Sequence, residues 1–461
     1  MPDNSIGQRK TTNQERSAKP NLLNRFFYII DRHPLYMLGL ILIIGLLVSL
    51  VVTMVTPPLL TSGENETWWN IILNLIQGHG YSLCIPRYFP FCGPANQITA
   101  MREPLPVFVF AGVALLSGES LWAATFVELI IFLAVLVAIY FLTHEWTKDS
   151  RPALLAAFLW AGYIPAIRRI TQVSGDLLGA LAVTIGILFT MRARHSNRAR
   201  DWLIAGIGFG LGINSRSAIL FIPIILIGGQ MFELWAGYIQ LQNFARSVSI
   251  LSGVVLLIMA PWLIRNSIVL GSPVIGSSLV GYNLYRHNAI IGSENYLRYV
   301  GADEALTETQ MLVANRPDLS GLENEGQMNR VYLDESLKVI KAYPVRYLLL
   351  SAYRFFPLWF NWGYAEAYGQ PTSIKGYIVM VLQALLLILT IIGIRENFRN
   401  TWSLWGSIAI ISLAHMAVNS QLLYLIPVMP IVISLSGAGG CYLLNKLSRI
   451  RRRKQASHHP A

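Results

Sequence analysis

The chain has 461 residues, of which 54% are hydrophobic and only 13% are charged, and its mean hydropathy is +0.49. A soluble globular protein carries about 25% charged residues, so the composition indicates one large membrane-embedded body and excludes a set of soluble domains. The formal net charge of +12 is typical of a membrane protein that contacts anionic lipid, and we expect no nucleic-acid partner.

Ten apolar segments follow one another along the chain, and a helix needs about 20 apolar residues to cross a bilayer core of ~30 Å. They lie near 35–56, 119–143, 152–168, 177–192, 202–214, 217–235, 247–264, 377–394, 402–418 and 428–446. The runs do not alternate as in an outer-membrane barrel. The sequence therefore predicts an all-α polytopic membrane protein with about ten spans, with further helices at the membrane face near 68–77, 104–117 and 346–362.

Lys and Arg concentrate in the short segments between alternate spans, which places both termini in the cytosol by the positive-inside rule. The predicted organisation is a basic N-terminal tail, 1–34, a transmembrane domain, 35–445, and a basic C-terminal tail, 446–461. Two long loops, 57–118 and 265–376, then lie outside the cytosol. Because most polar residues that could do chemistry belong to these loops, we expect the chemistry at the outer face of the membrane.

Two of the three cysteines, Cys84 and Cys92, lie in one short exported stretch, CIPRYFPFC. Neither they nor Cys441 form a metal-binding C-x-x-C spacing. A disulfide and a pair of free thiols both fit an exported loop, and the sequence leaves the two alternatives open.

The first exported loop carries two acids, Glu64 and Glu66, just before an apolar helix predicted to begin near Trp68. A helix N-terminus stabilises negative charge, so these acids either cap the helix or serve catalysis. Arg102 and Glu103 follow beside a second helix, which Pro104 begins.

Arginines recur at the outer ends of spans, where the positive-inside rule does not expect them. Such arginines are costly unless an acid or an anionic ligand pairs with them, and Asp176 is an acid close to two of them. Arginine binds phosphate oxygens in pairs, so the set indicates a lipid-phosphate site; the alternative is arginines that reach the headgroups. The set consists of Arg102, Arg168, Arg169, Arg216 and Arg265.

Taken in chain order, these residues resemble the GT-C superfamily of polytopic glycosyltransferases, especially bacterial members akin to protein O-mannosyltransferases and the lipid A aminoarabinose transferase. The first loop matches through Glu64, Trp68, Asn74, Leu75, Gly78, Gly80 and Tyr81, and the next stretch through Arg102, Pro104 and Leu105. Asp176 and Arg216 correspond to the family's later acid and basic residue. The most specific match is PWLIRNSIVLGSPVIGSSLVGYNLYRHN, residues 261–288.

Two departures from the family pattern affect the site. The family usually has Asp at the leading catalytic position, whereas this chain has Glu64 followed by Asn65, so either Glu64 or Glu66 could be the base. Leu423 stands where the family often has Arg in an R-Y-x-x-P motif, although Tyr424 and Pro427 remain.

The resemblance implies an enzyme that transfers a sugar from a polyprenyl-phosphate donor to an envelope acceptor, which could be a protein, a lipid or a glycan. Glu64 or Glu66 would act as base with Asp176 orienting a partner, and the five arginines would bind the phosphate. Substrate contacts are expected from Glu103, Asn266, Asn283 and Tyr424. No cofactor or metal is chemically required, because a lipid phosphate is already a good leaving group, although some relatives in the family use a divalent metal.

Two other classes of protein stay open. A lipid or polysaccharide transporter or flippase would need polar residues near the bilayer midplane, and Glu128 is the only acid well inside a span. A non-catalytic membrane subunit with a degenerate site is the other alternative.

Overall fold

Helices make up most of the computed structural model, which describes residues 31–58, 64–83, 97–320 and 323–457. Within these ranges there are eighteen α-helices and no strand beyond one isolated bridge, Ser82 to Ile98. The helices are α1 Pro34–Val55, α2 Glu64–Ile76, α3 Pro104–Ser117, α4 Leu121–Thr147, α5 Ser150–Ala161, α6 Ile164–Ile167, α7 Asp176–Ser196, α8 Ala199–Ile213, α9 Phe221–Trp235, α10 Leu241–Leu270, α11 Val280–Asn288, α12 Ala302–Ala314, α13 Glu325–Ala342, α14 Pro344–Tyr353, α15 Phe355–Phe360, α16 Ile374–Glu396, α17 Trp402–Val418 and α18 Met429–Ser457. Cys84 and Cys92 lie outside the described residues.

The all-α membrane fold predicted from composition is confirmed, and helices occupy most of each of the ten predicted apolar segments. Six helices of the described chain are long and apolar enough to cross a membrane. They are α1, α4, α7, α10, α16 and the continuous helix Ser217–Trp235, in which a 3-10 turn leads into α9. The total of about ten spans stays a prediction.

The segment 152–168 was expected to be one span, and this prediction is wrong. Helix α5 ends at Ala161, and α6 begins at Ile164 with Pro165 in its first turn. Proline has no N–H to continue a preceding helix but fits the start of a new one. We call the side of the molecule formed by segments 57–118 and 265–376 the loop face. After the break, the chain forms a turn that places Arg168 and Arg169 towards this face.

The main hydrophobic core lies between α4, α5, α7, α8 and α18. Within it, the rings of Phe132 and Trp160 stack with their centroids 5.4 Å apart. Helices α7 and α8 approach so closely that a Cβ at Gly208 would lie 2.8 Å from the carbonyl oxygen of Ala182. Small residues allow such close helix contacts in membrane proteins, which explains the Gly-rich sequence of α8.

A second hydrophobic cluster lies at the loop face and joins α2 and α3 to α10, α11 and α13. Trp68, Met101, Trp262, Tyr282 and Tyr332 are all buried in it. Burial of this many large side chains holds α2, α3 and the described residues next to them against the rest of the folded body.

Helix α2 begins at Glu64, so Glu64 and Glu66 lie in its first turn. The prediction that these acids precede the helix is therefore wrong by one turn. The electrostatic argument is unchanged, because acids in the first turn are stabilised by the N-terminal end of the helix dipole.

Candidate active site

Three charged side chains form an ionic cluster, defined here as Arg169, Asp176 and Arg216. Asp176, the first residue of α7, is 1% exposed; its Oδ2 lies 2.5 Å from Nη2 of Arg169, and its Oδ1 lies 2.7 Å from both Nε and Nη2 of Arg216. Arg169 is buried, whereas the Arg216 side chain is 15% exposed. Two guanidinium groups thus share one carboxylate.

The two chain segments of the ionic cluster touch through their backbones next to Gly175. A Cβ at this position would lie 2.0 Å from the carbonyl oxygen of Ser215 and 3.2 Å from the ring of Pro106. A Cβ atom cannot lie so close to a carbonyl oxygen, so glycine is required for this approach. It sets Asp176 directly against the segment that carries Arg216.

Glu103 ties the start of α3 to the same place. Its Oε1 accepts hydrogen bonds from the backbone N–H and the hydroxyl of Ser217, both at 3.0 Å. The N–H of Leu105 also donates to the carbonyl oxygen of Asn214 at 3.0 Å. Glu103 is buried and binds protein groups here, and its predicted contact with substrate stays a prediction.

Arg102 connects this region to the head of α2. Its Nε donates to the hydroxyl of Thr67 at 2.8 Å, and its guanidinium lies over the Trp68 ring, 5.5 Å from the centroid. The exposed Glu66 belongs to the same first turn. The carboxylate of Glu64 lies outside the described part of the chain. Arg102 therefore lies next to the first turn of the helix that carries the two acids.

Arg265 makes its hydrogen bonds mainly to backbone groups. Nη1 donates to the carbonyl oxygen of Thr99 at 2.7 Å and to Oδ1 of Asn266 at 2.8 Å, and Nη2 donates to the carbonyl oxygen of Tyr81 at 3.2 Å. The guanidinium also lies over the ring of Trp262, 4.8 Å from its centroid. Phosphate binding by Arg265 stays a prediction, and it would require some of these bonds to exchange.

Asn266, also a predicted substrate contact, donates from Nδ2 to the carbonyl oxygen of Val274 at 2.9 Å and is fully buried. Asn283 is half-buried on α11, and no hydrogen bond among the described residues joins it to the ionic cluster. For both asparagines the substrate role stays a prediction.

Tyr424 approaches the ionic cluster from the other end of the chain. Its ring stacks on His415 with centroids 4.9 Å apart, and its hydroxyl accepts from Nδ2 of Asn419 at 3.1 Å. His415 lies within electrostatic reach of Arg216 and Asp176. The segment that contains Leu423, where the family often has arginine, therefore borders the cluster.

Two charged residues of the sequence argument lie at the edge of this arrangement. Arg168 is exposed in the turn after α6, and its positive charge interacts electrostatically with the Tyr364 side chain. Glu128 is buried in α4, within electrostatic reach of Arg169 and Asp176. Among the described residues, neither side chain forms a hydrogen bond with the ionic cluster.

Several residues of the site had no recognisable signal in the sequence. Nothing in the sequence marks Thr67 as part of the site. Ser217 is indicated only by its position next to Arg216. Glu325 lies 226 residues after Thr99, yet its carboxylate accepts a hydrogen bond from the Thr99 hydroxyl. Partners so distant in sequence cannot be read from local periodicity.

Among the described residues, no group of three or more His, Cys, Asp or Glu side chains is placed to hold a metal ion. The prediction that the reaction needs no metal or cofactor is not tested by this observation.

Comparison with known proteins adds independent information on the fold. Residues 101–264 match the model of the dolichyl-phosphate-mannose-protein mannosyltransferase family. The archaeal oligosaccharyltransferase AglB from Archaeoglobus fulgidus, solved with an inhibitory peptide and a dolichol-phosphate, is similar over 93% of this chain with a TM-score of 0.53 and 17% identity. The chain has the fold of the GT-C glycosyltransferases.

The chain spans 53% of the length of that AglB structure. A structure of ArnT from Cupriavidus metallidurans in the apo state aligns over 89% of this chain and 77% of its own, with 10% identity and a TM-score of 0.40. No curated protein sequence matches the chain.

Proposed function

We propose that the protein is a membrane glycosyltransferase that moves a sugar from a polyprenyl-phosphate donor to an envelope acceptor at the outer face of the cytoplasmic membrane. The observation that carries this proposal is the ionic cluster, in which two arginines share the single carboxylate of Asp176. Arg102 lies at the head of the acid-bearing helix α2 and on a segment tied to the cluster. The match of residues 101–264 to a family named for a lipid-phosphate sugar donor supports the same reading.

The chemistry follows from this arrangement. In the transfer, an acceptor hydroxyl forms a bond to the anomeric carbon of the sugar while the bond from that carbon to the phosphate oxygen breaks. A base takes the hydroxyl proton, and positive groups stabilise the departing lipid phosphate. We assign the base to Glu64 or Glu66, and phosphate binding to Arg102 and Arg216, with a further contribution from the exposed Arg168.

Arg169 and Asp176 then have a supporting role, because both are buried. Asp176 holds the Arg216 guanidinium through two bonds of 2.7 Å, which orients the fork before the donor arrives. A pre-oriented donor group needs no reorganisation when negative charge develops. Arg265, Asn266 and Glu103 bind protein groups around this centre, and we infer that their first task is to hold it together.

The first experiment is a transfer assay with purified protein, a synthetic polyprenyl-phosphate mannose and a peptide acceptor, on Glu64→Gln and Glu66→Gln. One of the two variants is expected to lose transfer, because the amide cannot accept the proton. Glu294→Gln, an exposed acid of the loop face, is the matched control. Full transfer by both variants would remove the proposed base.

The second experiment titrates the donor at fixed acceptor with Arg216→Lys. Lysine keeps the charge but loses the fork that binds two oxygens, so the donor curve is expected to shift by about tenfold, or 1.4 kcal/mol, close to the lower limit of about 1.5 kcal/mol for a hydrogen bond to a charged group. A shift confined to the acceptor curve would contradict the phosphate role of Arg216.

A further inference from the structure

A short buried segment, residues 99–101, delivers Arg102 and Glu103 to the site. Thr99, Ala100 and Met101 are all fully buried. A buried peptide group without a hydrogen-bond partner is costly. The position of this non-helical segment therefore depends on which groups satisfy its backbone.

All six backbone N–H and C=O groups of the segment are paired. Thr99 donates to the carbonyl oxygen of Tyr81 at 3.1 Å and accepts from Arg265 at 2.7 Å. The carbonyl oxygen of Ala100 accepts from the N–H of Ser278 at 2.8 Å. Met101 donates to the Thr99 hydroxyl at 3.0 Å and accepts from the Ser277 hydroxyl at 2.7 Å.

The remaining group, the N–H of Ala100, donates to Oε2 of Glu325 at 2.7 Å. The same carboxylate accepts from the hydroxyl of Ser278 at 2.8 Å and from the hydroxyl of Thr99. Glu325 is buried at the first position of α13, where a helix N-terminus stabilises negative charge. One side chain from a distant helix thus binds the segment at two points, Thr99 and Ala100, and binds Ser278 beside it at a third.

We propose that Glu325 is a positioning residue of the transferase: it fixes segment 99–101, and through it sets Arg102 and Glu103 against the ionic cluster. This inference rests on the proposed function. Glu325 acts as a hydrogen-bond acceptor of fixed position, and it exchanges no proton with substrate.

The electrostatic surroundings fit this role. Burial raises the pKa of Glu325 above that of an ordinary carboxyl group, while the bonds from Thr99, Ala100 and Ser278 and the charge of Arg265 oppose the rise. The structural interpretation depends on these three donors. An uncharged amide of the same shape can accept from Ala100 and Ser278, which share Oε2, and can keep a hydrogen bond to the Thr99 hydroxyl with the direction reversed.

The test compares Glu325→Ala with Glu325→Gln. Alanine removes every acceptor and leaves the Ala100 N–H without a partner. Glutamine preserves the shape: its carbonyl oxygen accepts from Ala100 and Ser278, and its amide donates to the Thr99 hydroxyl. Glu335→Ala is the matched control, because Glu335 lies on the same helix and pairs with Arg316 and Lys338.

Two readouts are needed, kinetics of transfer and amide hydrogen exchange of the peptide that covers 97–105. For Glu325→Ala we expect faster exchange in this peptide, and turnover lower by about ten- to a hundredfold, the effect of a small misplacement of catalytic groups. For Glu325→Gln we expect exchange and turnover close to those of the wild type and of Glu335→Ala.

Three results would overturn the proposal. Unchanged exchange at 97–105 in Glu325→Ala would show that the carboxylate does not hold the segment. Loss of transfer in Glu325→Gln with normal exchange would assign Glu325 a chemical role. Faster exchange over the whole chain in Glu325→Ala would indicate a purely structural role. Glu325→Asp, which has a shorter acceptor, checks that result. In this variant the proposal expects faster exchange confined to 97–105 together with a lower kcat.

If the wild type itself transfers no sugar, the proposed function fails, and the exchange data still decide whether Glu325 holds the segment.

Discussion

The ionic cluster and the segment 99–101 solve the same problem, a buried polar group, in two different ways. In the ionic cluster, Arg169 and Arg216 bind the carboxylate of Asp176, so charge meets charge. In the segment, Arg265 and Glu325 bind backbone groups of Thr99 and Ala100, so charge meets the peptide dipole. Arginines and a carboxylate therefore orient one another in the ionic cluster, whereas an arginine and a carboxylate hold a backbone segment in the other region.

The difference has a consequence for mutations. Removal of one partner from a buried ion pair leaves an uncompensated charge, whereas loss of a side chain that binds a peptide group leaves a neutral donor or acceptor, which costs less. Variants of the ionic cluster should therefore be more destabilising than variants of the segment. Four predictions test this ranking.

The largest effect is expected for Asp176→Asn. The variant leaves Arg169 and Arg216 without their shared carboxylate, and we expect unfolding to become easier by about 3–5 kcal/mol. Thermal unfolding of the purified protein in detergent measures the change. Asp318→Asn, which alters an exposed pair with Arg316, should change the midpoint little. Equal midpoints for the two variants would contradict the comparison.

Gly175→Ala should follow. Its Cβ would lie 2.0 Å from the Ser215 carbonyl oxygen, so the backbone next to the ionic cluster must move. We expect a loss of about 1–3 kcal/mol, the usual range for overpacking. Gly112→Ala is the control, since it lies in α3 with no atom within 4 Å of its Cβ. There the helix should gain up to about 1 kcal/mol. Similar melting curves for the two variants would show that the backbone at Gly175 does not lie in close contact with Ser215.

Arg265→Lys tests the other region. Lysine cannot reach the carbonyl oxygens of both Thr99 and Tyr81 with the geometry of a guanidinium fork. We expect a loss of about 1.5 kcal/mol, the lower end of the range for one hydrogen bond to a charged group, because lysine keeps the positive charge. Arg330→Lys, which donates one exposed bond to Gly271, is the control. A normal melting curve together with a lower apparent affinity for the donor would instead support phosphate binding by Arg265.

The smallest effect on stability is expected for Arg168→Ala. The side chain is exposed, and surface substitutions usually stay within about 0.5 kcal/mol. Its proposed contact with the donor phosphate predicts a weaker donor titration at unchanged stability. An unchanged titration would limit the phosphate site to Arg102 and Arg216.

Local patterns in the sequence predicted much of the fold and part of the site. The apolar runs located the helices because the membrane requires about 20 apolar residues in a helix whatever its neighbours are. The order of motifs also selected Arg102, Asp176 and Arg216, which the structure brings to one region. The same local evidence missed the break after Ala161 and placed the start of α2 one turn late.

Sequence by itself therefore determined the class of fold and which residues are candidates, since hydrophobic periodicity and residue type are local properties. Only the tertiary structure decided what each candidate binds: Glu103 meets Ser217, Arg265 meets the carbonyl oxygen of Thr99, and Glu325 meets Ala100 across 225 positions of chain. The physical reason is that a buried polar group must find a partner wherever packing places one, and packing joins segments whose distance along the chain carries no signal.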